Sequence, residues 1–241
     1  MFCPQNVTAL RMRRQHLSEK AGEADFEKLF RDMSPVPCPY WSAPGSPPRT
    51  VFRAAFDDGF FSDRRRSRRE IVKGRFAGGS VGYIEPGEWE LFAGLYRKPI
   101  DRLNTAQRRL LDLLRQEGPM TIGGMKELTG MLVKEIVPQL HRLQEAFLVY
   151  EDQTDSEGDR GWYLFEGEFD EVDVSRYTRE EALREALPRF AGLQVVFDAD
   201  MAKSFYRLPG KEITGGLESR VVRDNGAGTI ANGKLEASAS D

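Results

Sequence analysis

Five arginines fall within six positions, Arg64, Arg65, Arg66, Arg68 and Arg69, and Lys73 and Arg75 follow closely. Cations at that density suit a phosphate backbone, because neutralising phosphates supplies most of the non-specific affinity for duplex DNA. A run of this kind equally describes a solvated face, the commonest fate of clustered charge. A second set, Lys134, Gln139 and Arg142, faces outward from a helical pattern whose other side is apolar. The candidates for acid–base chemistry are Asp32, Asp57 and Asp58, and isolated aspartates more often serve as caps and surface residues. Cys3 and Cys38 are the only cysteines and His16 and His141 the only histidines. Without ligand spacing they argue against zinc and against a disulfide framework, and they fit a reducing cytoplasm. No cofactor is implied, and the catalytic residues stay unknown.

The elements that must position these groups are clearest from Leu103 to Phe169. Asn104 or Thr105 can cap a helix carrying Leu110, Leu111 and Leu114, which Gly118-Pro119 stops. A short helix with Ile122, Met125 and Leu128 ends at Thr129-Gly130. A third then buries Val133, Ile136, Val137, Leu140 and Leu143 on one stripe. Pro138 conflicts with a helix interior, so the regular helix is expected to start near Glu135. Phe147–Tyr150 and Trp162–Phe165 read as paired strands, with 156–161 as the wing between them. This order is a winged helix-turn-helix.

Upstream, residues 7–20 predict a helix with Val7, Leu10 and Leu17 inward and Arg11, Arg13 and Arg14 largely outward. Asp25 is a candidate cap for a second helix with Phe26, Leu29, Phe30 and Met33. Residues 34–48 are too rich in proline for regular structure, and Tyr40 and Trp41 are expected to pin that loop. Thr50 to Phe61 predicts a third helix, 71–84 a hairpin turning at 77–80, and Glu85 to Tyr96 a short linking helix. Downstream, a helix is expected from Thr178 to Leu187, where Pro188 ends it. Two more helical candidates follow at 197–206 and 211–222, and then a Gly-, Ala- and Ser-rich disordered tail from Asn225.

The chain has 241 residues and a net charge of −3. Residues 1–100 hold 17 Lys and Arg against 12 Asp and Glu, whereas the remainder hold 18 against 26. The positive face of a nucleic-acid binder would therefore come largely from the first hundred residues. No apolar run reaches bilayer length, and the N-terminus lacks a signal-peptide pattern. The fold class expected is α+β, mainly helical, with tandem winged helix-turn-helix units. Their expected bounds are 1–100, 101–175 and a third, truncated unit at 176–224, ahead of the tail at 225–241.

The stretches LRMRRQHL at 10–17, IVKGRFAGGSVGYIEPGEWELFAGLY at 71–96 and ELTGMLVKEIVPQLHRLQEAFLVYEDQTD at 127–155 resemble the winged-helix DNA-glycosylase superfamily of the AlkZ and YcaQ type. DRGWYLFEGEF at 159–169 and MAKSFYRLP at 201–209 extend the resemblance, which spans roughly residues 7–215. It is nearest to the AlkZ-related branch. The resemblance implies tandem winged helices around duplex DNA and hydrolysis of the N-glycosidic bond of alkylated or crosslinked purines. It also implies a glutamine-x-glutamine or glutamine-x-aspartate motif after the second helix. Here that position reads Met33-Ser34-Pro35-Val36-Pro37-Cys38, with no carboxylate or amide to orient water or offset oxocarbenium charge.

Three functions compete. The first is a tandem winged-helix protein that binds duplex DNA, damaged duplex included, with Arg64, Arg65, Arg66, Arg68, Arg69, Lys73 and Arg75 on phosphates and Lys134, Gln139 and Arg142 facing a groove. The second is an active glycosylase with a relocated carboxylate. The third is a protein-interaction module, which the acidic wing favours: Glu151, Asp152, Asp155, Glu157 and Asp159 stand against Arg160 alone.

Overall fold

A computed structural model describes residues 4–37, 49–56, 64–152, 160–221, 228–231 and 234–237. Two compact units form, Met1–Ser62 with Tyr177–Asp241 and Asp63–Arg176. The first opens with α1 (Pro4–Arg14) and α2 (Glu23–Met33), whose Phe26, Leu29 and Phe30 are buried. Gly22 is the N-cap of α2, and Asp25 lies in its first turn. Arg11 and Arg14 do not face outward as expected. Arg11 donates to the carbonyls of Gln194 and Val196, and Arg14 to that of Gly192. Helix C-terminal carbonyls have no partner within their own helix, and guanidinium groups satisfy them here. The helix expected over 50–61 is a single 3-10 turn, Thr50–Arg53, after which Ala54 bridges to Ala21. Residues 57–61, and with them Asp57 and Asp58, lie outside the described residues, as do Cys3, Cys38, Tyr40 and Trp41.

The second unit contains the hairpin β1 (Val72–Phe76) and β2 (Ser80–Ile84), in register from Val72 opposite Ile84 to Phe76 opposite Ser80. Gly78 and Gly79 make the turn at φ of 76° and 81°, a conformation glycine adopts without steric cost. The hairpin packs on the winged helix that follows, and the two belong to one unit. Helix α3 (Trp89–Tyr96) is more than a linker. Trp89, Phe92 and Tyr96 meet Phe76, and Trp89 and Phe76 meet Phe147, in one buried aromatic cluster.

Helices α4 (Thr105–Glu117), α5 (Ile122–Thr129) and α6 (Val133–Glu145) then lead to β3 (Val149–Glu151) and β4 (Trp162–Leu164). Asn104 caps α4 in a box with Gln107, and Gly130, at φ 69°, ends α5. Met120 bridges to Trp162, adding the short third strand of a winged helix. The core joins Leu110, Leu111, Leu114, Met125, Ile136, Leu140, Leu143, Val149 and Trp162.

Two expectations fail on this motif. Helix α6 starts at Val133, so Pro138 sits in its interior. The lost N–H leaves only the Lys134 carbonyl without its partner, and both residues are exposed, where water can serve. Leu128 and Val133, expected inside, are 59% and 45% exposed, and Leu132 is 50% exposed, all at the α5–α6 turn.

The chain re-enters the first unit with α7 (Arg179–Gln194), β5 (Val196–Asp198), α8 (Ala199–Tyr206) and α9 (Gly210–Val221). Pro188 does not end α7. Burial of Phe190, Ala191 and Leu193 carries the helix past the missing donor. The tail expected to be disordered includes two strands, β6 (Gly228–Ala231) and β7 (Lys234–Ala237), which pair with β5 in the order β5-β7-β6. The order α7, β5, α8, α9, β6, β7 is that of a winged helix. Among the described residues no helix is long and apolar enough to cross a membrane.

Candidate nucleic-acid interface

Lys73 and Arg75 stand two residues apart on β1, so the strand repeat sets them on one face. That face meets α6 and β3. Lys73 is buried and its Nζ lies 2.7 Å from Glu151 Oε2, while Arg160 Nη1 holds the other oxygen at 3.1 Å. Arg75 donates to the Gly79 carbonyl at 2.9 Å and to His141 Nε2 at 2.6 Å. Glu145, one turn along α6 from His141, receives Lys98 at 3.1 Å and Arg142 at 3.2 Å. A Cβ on Gly79 would meet the Glu145 carboxylate, the movable end of a flexible side chain, so it is the φ of 81° that calls for glycine there.

Five cations, Lys73, Arg75, Lys98, Arg142 and Arg160, thus surround two carboxylates, Glu145 and Glu151. Among the described residues the local excess is three positive charges with His141 neutral, and two when Arg69 is added with its partners Asp152 and Glu168. Lys98, Arg142 and Arg160 each keep about half their side chain in solvent. Burial lowers the pKa of Lys73 and of Arg75, with Glu151 pulling both back up. Burial also lowers that of His141, and the Arg75 guanidinium adds to the effect.

The basic run divides by environment. Arg65 is buried with Nη2 3.2 Å from Glu85. Arg64 and Arg66 are half-buried, and Arg68 is exposed with Glu70 at 3.8 Å. Arg69 pairs with Asp152 and reaches Glu168 at 2.6 Å. Lys134 is exposed, whereas Gln139 accepts a hydrogen bond from Asn104 at 3.0 Å. The structure therefore brings Lys73, Arg75 and Arg142 together and separates Arg65 and Gln139 from them by their own partners. His141, Lys98, Glu145 and Arg160 complete the cluster although sequence reasoning did not select them as site residues. The single histidine on the third helical pattern was their one available signal. The acidic wing is also less repulsive than its sequence suggests, since Glu151 and Asp152 are held by cations. Asp155, Glu157 and Asp159 lie outside the described residues.

Where the resemblance sets a catalytic motif, Ser34 donates to the Phe30 carbonyl at 2.9 Å and Val36 is buried. Asp32 is paired with Lys28. Among the described residues no three His, Cys, Asp or Glu side chains stand together as a metal site.

No protein-family model matches the chain, and no curated protein matches it in sequence. Among solved structures the fold is similar to the DNA glycosylase AlkZ of Streptomyces sahachiroi, with a TM-score of 0.61 at 16% identity. The match covers 88% of this chain and 64% of that one, so it spans less than two-thirds of the length of that protein. At that identity the likeness establishes a shared fold: an α+β, mainly helical, winged-helix architecture.

Proposed function

We propose that this chain binds duplex DNA through its central winged helix and the β1–β2 hairpin, and that it does so without base excision by the glutamine-motif route. The observation that carries this reading is the surplus of cations over carboxylates, among the described residues, where the hairpin, α6 and the β3–β4 strand pair meet. Phosphate contact falls to the exposed and half-exposed groups Arg64, Arg66, Arg68, Lys98, Lys134, Arg142 and Arg160. Arg65, Arg69 and Lys73 brace the hairpin through their ion pairs. Residues 179–237 are read as a further winged helix, and the similarity to a glycosylase fold supports a repair-related setting. The test is fluorescence anisotropy with a labelled duplex over a salt series. The logarithm of affinity should fall linearly with the logarithm of salt, by roughly 0.9 for each phosphate engaged. Absence of binding at low salt would refute the reading.

A second reading, a protein-interaction module, is favoured by one feature, the exposed Leu128, Leu132 and Val133 at the α5–α6 turn. Their neighbours Lys126, Glu127, Lys134 and Glu135 are exposed and balance in charge, which gives phosphate little to attract it there.

A further inference from the structure

We propose that Arg75 and His141 together form a proton-coupled site for a tetrahedral oxyanion of the phosphate type, at the junction of the hairpin and α6. Where that oxyanion belongs to a DNA backbone, the proposal rests on the function proposed above. The site itself requires only the two side chains and their surroundings.

A guanidinium has donors and no acceptor, so His141 Nε2 must accept from Arg75 and the imidazole is neutral, its proton on Nδ1. Among the described residues Arg75 has no carboxylate within ion-pair distance, and its buried Nε has no hydrogen-bond partner. Among the described residues, the charged groups that bear on His141, directly or through their ion pairs, come from several elements. Lys73 comes from β1, Glu151 from β3, Arg160 from just before β4, Lys98 from beyond α3, and Arg142 and Glu145 from α6 itself. The Trp162 ring lies 6.4 Å away. Both carboxylates are already held, Glu151 by Lys73 and Arg160 and Glu145 by Lys98 and Arg142. Among the described residues the site therefore holds a guanidinium with unmet donor capacity, a histidine that can become a donor, and an excess of positive charge.

Protonating His141 in the absence of an anion sets imidazolium against guanidinium at 2.6 Å, and the two must part. An oxyanion resolves the conflict by accepting from both, and guanidinium matches its geometry. Burial and the Arg75 charge hold the pKa of His141 below its ordinary value. The neutral contact is thus fully present above the ordinary histidine pKa and is lost as pH falls through the lowered one. Anion binding must strengthen over that same window, and by reciprocity a bound anion raises the pKa of His141.

The chain has two histidines, so ring NMR resonances give a titration with a built-in control at His16. The full chain is titrated at constant ionic strength in chloride alone, with sulfate, whose charge is fixed over this range, and with a short duplex. Sulfate should raise the pKa of His141 by about one unit, a tenfold coupling, and leave His16 in place. Arg75→Gln should abolish that shift. His141→Gln keeps an acceptor for Arg75, so it should fold with an unchanged melting temperature at pH 8 and bind sulfate without pH dependence. A His141 titration indifferent to both sulfate and duplex overturns the proposal, as does a shift that persists in Arg75→Gln. A shift with sulfate alone upholds an oxyanion site for free anions and removes the backbone as its source. A shift with duplex alone upholds it for backbone phosphate. Duplex binding itself is read separately by anisotropy, so failure of the DNA reading is distinguishable from failure of the site.

Discussion

Arg65 and Arg68 differ by three positions in a run that offers no periodicity to separate them. Arg65 is nonetheless buried against Glu85, twenty residues away, while Arg68 is exposed. Arg65→Ala should destabilise the second unit by roughly 3 kcal/mol, because it removes a buried guanidinium and its ion pair with Glu85. Its effect on DNA should follow from that loss of fold and not from a lost phosphate. Arg68→Ala combined with Arg142→Ala should leave the urea midpoint nearly unchanged and lower the salt slope of binding by about 0.9 for each lost contact. An unchanged slope would make both arginines solvated surface. The cations were legible in the sequence as a group, but their partition was not. Which of them is buried is decided by Glu85, Glu151, Asp152 and Glu168, whose proximity exists only once the hairpin has packed on the winged helix.

The third helix of the motif was legible as an element and misread in phase at its start. Ile136, Leu140 and Leu143 are wholly buried, as their spacing requires, and Leu140→Ala should cost roughly 2–5 kcal/mol through lost burial and the cavity left behind. Val133 has the same apolar character but sits at the first turn and is 45% exposed. Hydrophobic spacing reports which residues share a face and cannot report where the covering layer stops. The two prolines teach a related point. Pro138 and Pro188 both lie inside helices, since tertiary burial on either side outweighs one missing hydrogen bond. Pro138→Ala should therefore stabilise the unit, by about 2 kcal/mol, since it restores the donor to Lys134 at an exposed site where no cavity forms. A lower denaturation midpoint for this variant would show that the ring itself packs against something essential. The C-terminal strands escaped notice because their glycine and alanine content resembles a linker. Their order beside β5 comes from pairing at a distance, which composition cannot express.

At the scale of the whole molecule, a glycosylase fold and a glycosylase reaction are separable properties. This chain is similar in fold to AlkZ over 88% of its own length, yet activity depends on a few atoms at one place. Hydrolysis of a glycosidic bond needs a group within about 3 Å of the water or sugar it serves, directly or through one bridging water. After α2, Ser34 spends its hydroxyl on the Phe30 carbonyl and Val36 is turned inward. Asp32, the nearest carboxylate in sequence, is held by Lys28 on its own helix, a pairing that does nothing to aim it at a substrate. Incubation of the protein with alkylated or crosslinked duplex should accordingly release no free base above a no-protein control, while the same preparation shifts the duplex in anisotropy. Base release that disappears in Asp32→Asn, Asp57→Asn or Asp58→Asn would instead identify a relocated catalyst at that carboxylate. Release that survives all three changes would equally defeat the binding-only conclusion and direct the search to the remaining carboxylates of the chain.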